Sequence, residues 1–212
     1  MAKKAREIGG DISNGGEAAI EAQIPYLVEL RLQGTADLLW HRYDCEAVEA
    51  VSRAPKGSKI KKEDNIESYV SRDSEGYLCL PGEYVRQSLL TASKFRQDPR
   101  SSRKSALDLY KAGLVTMTPL ARIIVDGKPT KEWCYVDRRR VRVGLSAVPR
   151  SRPATKAGWE AVARFQVLLP EYIHPQDVHA LAVQAGQLVG LADFRPTYGR
   201  YAIVHFEEVK LS

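Results

Sequence analysis

From Arg138 to Lys156 the chain carries seven basic residues, Arg138, Arg139, Arg140, Arg142, Arg150, Arg152 and Lys156, with no acidic residue among them. Guanidinium groups in such a run do one kind of chemistry well. Each presents a planar fork of donors that matches the oxygens of a phosphate or a carboxylate. Arg138, Arg140 and Arg142 sit two apart in a stretch that alternates as a strand does, which puts the three on one face. Every second strand residue lies about 7 Å further along, close to the step between successive phosphates of an extended single strand. Two more basic clusters fall in polar stretches: Arg53, Lys56, Lys59, Lys61 and Lys62, then Lys94, Arg96, Arg100, Arg103 and Lys104. Taken alone, each of these stretches reads as a solvated face; the three together read as a surface for a polyanion.

Aromatic residues accompany the charge. Trp133 and Tyr135 precede the arginine row, Trp159 follows it, and Phe194, Tyr198 and Tyr201 surround GLADFRPTYGRY, residues 190–201. Rings beside guanidiniums are what unpaired bases stack on. Trp159 and Tyr198, with polar neighbours, are the stacking candidates, and Phe165 and Phe206 read as core. In GLADFRPTYGRY, Gly190 lets a helix stop in a left-handed turn, Pro196 stiffens the loop, and Gly199 permits a close backbone approach. Asp193 is placed to pair with Arg195 or Arg200. Such a loop either grips a phosphate backbone or is an arginine–aspartate lock that ties loop to sheet.

Other chemistry is poorly supported. There is no GxSxG, GxxxxGK[ST], HExxH or GxGxxG. His41, His174, His179 and His205 are scattered; His41, beside Trp40, reads as a base, a stacking group or an ordinary half-buried histidine. Cys45, Cys79 and Cys134 are far apart, which argues against a thiolate zinc site and for reduced thiols packed as small apolar residues. No catalytic residue, metal site or cofactor is assigned. A metal-dependent nuclease, with Asp37, Asp44 and Asp193 as its only attractive carboxylates, stays open as an alternative.

The elements that must position these residues are legible from periodicity. The chain has 212 residues, 44% hydrophobic and 27% charged, with a formal net charge of +6: enough for one folded domain with a mild lean toward polyanions. Residues 1–20 read as a flexible N-terminal tail without the apolar core of a secretory signal, and no apolar run reaches membrane-spanning length. A cytoplasmic protein with no membrane partner is expected. In IPYLVELRL, Tyr26, Val28, Leu30 and Leu32 share one strand face. CEAVEAV, 45–51, suggests a short helix. Tyr77–Leu80 is a strand, and Pro81 and Gly82 open a helix with Val85, Leu89, Leu90 and Ala92 on its apolar stripe. SALDLYKAGL is a helix ended by Gly113. Asp126-Gly127 is a hairpin turn between ARIIV and EWCYVDRRRVRVG, and LSAVPRSRPATKAG, with two prolines, reads as a loop. WEAVARFQVLLP is a strand. Pro175 opens a helix with Val178, Leu181, Ala182, Ala185 and Leu188 on one face, and YAIVHFEEV is the last strand. The order implies an α+β, ferredoxin/RRM-like split βαβ sheet with both helices on one face. This domain spans 21–212, with basic insertions near 52–75 and 96–105 and a hairpin at 120–143.

VELRLQGTADLLWH, LCLPGEYVRQSLLTASKF, the late helix, GLADFRPTYGRY and the final strand together resemble the RAMP superfamily, whose backbone subunits coat guide RNA in CRISPR effector complexes. The resemblance covers residues 24–209. Its most specific element is the glycine-containing loop, with Ala192 where a second glycine is expected. It implies a modified RRM fold, a thumb-like hairpin (120–137 or one of the basic loops) and side-by-side assembly in antiviral defence. The expectation is therefore a single-strand backbone binder, with guide RNA or ssDNA, copies of itself and other effector subunits as partners. Its contacts would be Arg138, Arg140, Arg142, Arg150, Arg152, Trp159, Arg195, Tyr198, Arg200, Lys59 and Lys61. A phage or mobile-element protein, structural or single-strand-binding and without a guide, is the other alternative.

Overall fold

The computed structural model describes residues 24–42, 65–143 and 146–209, with isolated residues between 49 and 55; the side chains of 141–148 are not described. Its frame is set by strand β1 (Tyr26–Gly34), whose Tyr26, Val28, Leu30 and Leu32 are all buried, as the alternation requires. A short β2 (Leu38–Leu39) follows, then a 3-10 turn at Ile66–Tyr69, β3 (Ser71–Arg72) and β4 (Leu78–Pro81). Helix α1 (Gly82–Ser93) buries Val85, Leu89, Leu90 and Ala92. Next come β5 (Gln97–Asp98), β6 (Ser101–Ser105), α2 (Leu107–Gly113), β7 (Leu114–Thr116), β8 (Leu120–Arg122), β9 (Ile124–Val125) and β10 (Lys128–Pro129). The second half contains β11 (Tyr135–Val143), β12 (Ser146–Thr155), β13 (Glu160–Val167), α3 (Pro175–Leu188) and β14 (Tyr201–Val209).

The main sheet runs β10-β9-β13-β1-β14, with β7 also paired to β13. Its repeated unit is β1-α1-β7 followed by β13-α3-β14, all strand pairs antiparallel. This is the α+β, ferredoxin/RRM-like split βαβ arrangement. Val85 and Leu89 of α1 and Val178, Leu181 and Ala185 of α3 join Val28, Leu30 and Phe165 of the sheet in one core. Leu188, expected on that stripe, is 53% exposed. Helix α3 approaches β14 closely at Gly186, where a Cβ would lie 2.1 Å from the Tyr201 carbonyl oxygen. Buried Tyr201 has its phenol pushed above its ordinary pKa by desolvation, and its hydroxyl meets Ser88 of α1 at 3.3 Å.

Several expectations need correction. Residues 145–158 are not a loop: β12 pairs with β11 along its whole length, Tyr135↔Ala154 through Val143↔Ser146. The prolines misled because they usually disfavour strands. Pro153 instead turns its backbone away from β11, its carbonyl accepting the Trp40 N–H at 2.9 Å. Pro149, four residues earlier, has the same parity, so neither removes a bond from the β11 ladder. The long hairpin is therefore 135–155, not 120–143 or 120–137. Asp126 and Gly127, with φ of 51° and 74°, turn only the two-residue strands β9 and β10. The basic insertion near 96–105 is a hairpin, β5–β6, in which Arg100 is ion-paired to Asp98. Cys79 is buried but Cys134 is exposed. The tail 1–20, Cys45, Asp44, Lys59 and Lys61 lie outside the described residues, as does most of 45–51.

Trp159 is 0% exposed, its indole N–H donating to the Ala36 carbonyl at 3.0 Å. Its ring lies against Gly34, where an added Cβ would meet Nε1 at 2.1 Å. A side chain at residue 34 must displace a core tryptophan. Gly34→Ala is therefore expected to destabilise the protein by about 1–3 kcal/mol, read as a lowered urea midpoint at unchanged slope. A wild-type midpoint would show that the indole is not locked there.

Candidate nucleic-acid interface

The β11–β12 hairpin is anchored at its open end. Ala154 and Thr155 pair with Leu39 and Leu38, and the Cys134 N–H donates to the Ala154 carbonyl at 2.7 Å. Asp37, just before β2, accepts the Tyr135 hydroxyl at 2.6 Å and the Ala157 N–H at 2.9 Å. Burial, then this hydrogen bond, pushes the Tyr135 phenol well above its ordinary pKa, so it remains a donor.

The loop after α3 docks on the same segment. The Gly199 N–H donates to the Asp37 carbonyl at 2.8 Å, the Asp193 N–H to the Leu39 carbonyl at 3.1 Å, and the Leu191 N–H to the Gly199 carbonyl at 2.9 Å. Gly190 and Gly199 have φ of 74° and 69°. At Gly199 a Cβ would sit 1.9 Å from the Leu191 carbonyl oxygen, so both the close approach and the left-handed backbone require glycine. Ala192 and Phe194 also take left-handed values, 57° and 55°, which side-chain-bearing residues rarely adopt.

Loop and hairpin are joined by charge and aromatic stacking. The guanidiniums of Arg139 and Arg152 lie 4.8 and 4.5 Å from the Phe194 ring centroid. Arg139 also lies 4.8 Å from the Tyr198 ring and donates to its hydroxyl at 2.7 Å. Arg139 donates through Nε to Asp137 at 2.6 Å, and Arg152 through Nε to Asp193. Burial is the largest single influence on Asp193 and would raise its pKa. The Phe194 N–H and the Arg152 guanidinium together outweigh it and hold the carboxyl below its usual range. Beside this cluster, Arg150 Nη1 lies 2.9 Å from His41 Nε2, and the His41 ring stacks on Tyr69 with centroids 4.7 Å apart.

Register divides the arginines. Arg139 is opposite Arg150 and Asp137 is opposite Arg152, so these residues share the face turned to the glycine-framed loop. Arg138 and Arg140, opposite Ser151 and Pro149, occupy the other face and are exposed. Arg142 continues that row in register, opposite Ala147. The expected common surface of Arg138, Arg140, Arg150 and Arg152 is thus two surfaces. Arg152 is 5% exposed and bound to Asp193, which was expected to pair with Arg195 or Arg200. Buried Trp159 offers no ring face to a base. Tyr198 is half-buried with its hydroxyl engaged; Arg195 and Arg200 are exposed on the loop. Sequence reasoning overlooked the Asp137–Arg139 pair, although a two-residue spacing on a strand places both on one face. It also overlooked the Tyr69–His41 stack, for which no local signal exists.

No protein-family model matches the chain, and neither does any curated protein. Among solved structures the chain is similar to Cmr and Cas6 proteins. Cmr6 from Pyrococcus furiosus aligns at 9% identity over 85% of this chain and 99% of its own, with a TM-score of 0.46. A chain of a Type III-B Cmr-beta complex bound to cognate target RNA aligns at 11% identity, covering 88% of this chain and 61% of that one, with a TM-score of 0.48. A Cas6 product complex gives 10% identity, 85% and 50% coverage and a TM-score of 0.25. Likenesses at such identities say nothing about which residues bind.

The Arg152–Asp193 pair carries a pH signature. Because the Asp193 carboxyl is held low in the fold, its contribution is complete above the unfolded value of about 3.9 and is lost as pH falls through the lower folded value. At pH 7, Asp193→Asn is expected to cost about 1–2 kcal/mol, less than for a fully buried pair because the carboxylate is partly solvated. Thermal melts should show the gap to wild type closing as pH falls below about 4. A gap independent of pH would mean the charge is not what matters.

Proposed function

We propose that this protein binds single-stranded nucleic acid, preferably RNA, along its phosphate backbone. We further propose that it does so as a RAMP-type subunit of a CRISPR RNA-guided effector assembly, alongside copies of itself or other subunits. The observation that carries the reading is the row of exposed guanidiniums on β11. Arg138 and Arg140 have no ion-pair partner among the described residues, and they stand on a hairpin whose base is anchored by β2 and Asp37. Arg195 and Arg200, also exposed and without an ion pair among the described residues, extend the cationic surface onto that loop. Fixed donors on a rigid support lose little on ordering when they meet a phosphate. In the free protein Arg139 and Arg152 hold the loop, their guanidiniums paired with Asp137 and Asp193. The mixed α+β fold is compatible with such a role but does not by itself assign it.

Fluorescence-labelled oligouridine tests the reading. Neutralising three or four phosphates predicts a ~40–150-fold loss of affinity between 50 and 300 mM salt. Arg138→Ala/Arg140→Ala should lower the slope of log affinity against log salt by about 1.4. Equal affinity at the two salt concentrations would sink the phosphate-grip model. Mass measurement on lengthening oligomers should show added copies; a single copy on every length would remove side-by-side assembly.

A further inference from the structure

The carboxylate of Asp193 has a second reading, which rests on the strand-binding proposal above and goes past it. Arg152 is 5% exposed, and its Nη1 has no hydrogen-bond partner among the described residues. A buried guanidinium with one side held by a carboxylate and the other side unmet has the donor pattern of an oxyanion site that is only partly filled. The carboxylate that fills it belongs to a loop bent at two side-chain-bearing residues in left-handed backbone, Ala192 and Phe194, and such conformations are costly and cluster at switches. Asp193 itself is partly exposed, with 34% of its side chain open to solvent. The groups around it are predominantly cationic: Arg139 and Arg150 share the hairpin face with Arg152, Asp137 is the other carboxylate there, and His41 lies against Arg150.

We propose that Asp193 is an internal stand-in for a backbone phosphate of the bound strand. In the free protein it neutralises Arg152. On binding, residues 192–198 turn over, the carboxylate leaves, and a phosphate takes its place on the Nε edge of Arg152, with Phe194 released from between Arg139 and Arg152. No bond is made or broken; one anion replaces another. The arrangement makes occupancy by weak anions costly, because each must first displace a tethered competitor.

The test is a gain of binding. Affinity for a twelve-residue oligouridine is measured at 150 mM salt for wild type, Asp193→Asn, Asp193→Glu and Arg152→Gln, with each melting curve recorded. Asp193→Asn, less stable when free, should bind ~3–10-fold more tightly. Asp193→Glu, which keeps the competing charge, should not. Arg152→Gln should weaken binding and abolish the gain from Asp193→Asn in the double variant. Unchanged or weaker binding by a folded Asp193→Asn overturns the proposal and leaves Asp193 a structural lock. Absence of binding by wild type at any salt removes the strand-binding reading itself, and this one with it. Should Asp193→Asn fail to fold, hydrogen exchange in wild type decides. The Phe194 N–H, held by Asp193 Oδ1 at 2.9 Å, should exchange faster in the oligouridine complex, and unchanged or slower exchange overturns the exchange of anions.

Discussion

The surface of this protein depends on the Phe194 ring lying between two guanidiniums, Arg139 and Arg152, each held by its own aspartate. A cation over an aromatic face is worth about 0.5–2 kcal/mol according to how far it is desolvated, and here two such contacts act on one ring. They join segments more than forty residues apart: the arms of the β11–β12 hairpin and the loop that returns the chain from α3 to β14. Remove the ring, and the hairpin loses both cation–π contacts to the loop and keeps the Arg152–Asp193, Arg139–Tyr198 and Arg150–His41 contacts beside its pairing with β2.

That constraint sorts a basic run into two roles. Arg139 and Arg152 are engaged in holding the loop, their charge offset by Asp137 and Asp193. Those facing away, Arg138 and Arg140, remain exposed. Alternation along β11 makes the division unavoidable, since neighbouring strand residues project to opposite sides. The four arginines of β11 therefore cannot all face one ligand. In the free protein one parity serves structure and the other stays open to a partner.

The split βαβ sheet positions this arrangement at one end. Helix α3 lies tight on β14 through Gly186 and Tyr201, and α1 meets the same tyrosine through Ser88. The loop between α3 and β14 is therefore delivered to the same edge as the turn after β1, where Thr35 and Ala36 donate to the Arg200 carbonyl. The open face of the sheet, in contrast, carries charged residues such as the Glu29–Arg164 pair and no aromatic residue on β1 or β13. The stacking platform of an RRM sheet has no counterpart on those strands.

Periodicity in the sequence determined the frame. Tyr26 to Leu32, Ala161 to Val167, the stripe of α1 and the first three turns of α3 were all legible, because burial of one face imposes a period that needs no knowledge of the neighbour. The glycines of GLADFRPTYGRY marked a special loop for the same local reason: their φ values are a property of the backbone itself. What the chain order could not reveal was partnership. Whether 146–155 was loop or strand depended on which way two prolines faced, and the partner of Asp193 was an arginine 41 residues away rather than one of the two beside it. Trp159, flanked by polar residues, went into the core because Gly34 left room for it. Only tertiary structure decided these points, since ion pairs, register and the fit of a ring against a glycine are set by which surfaces meet, and distance along the chain carries no record of that.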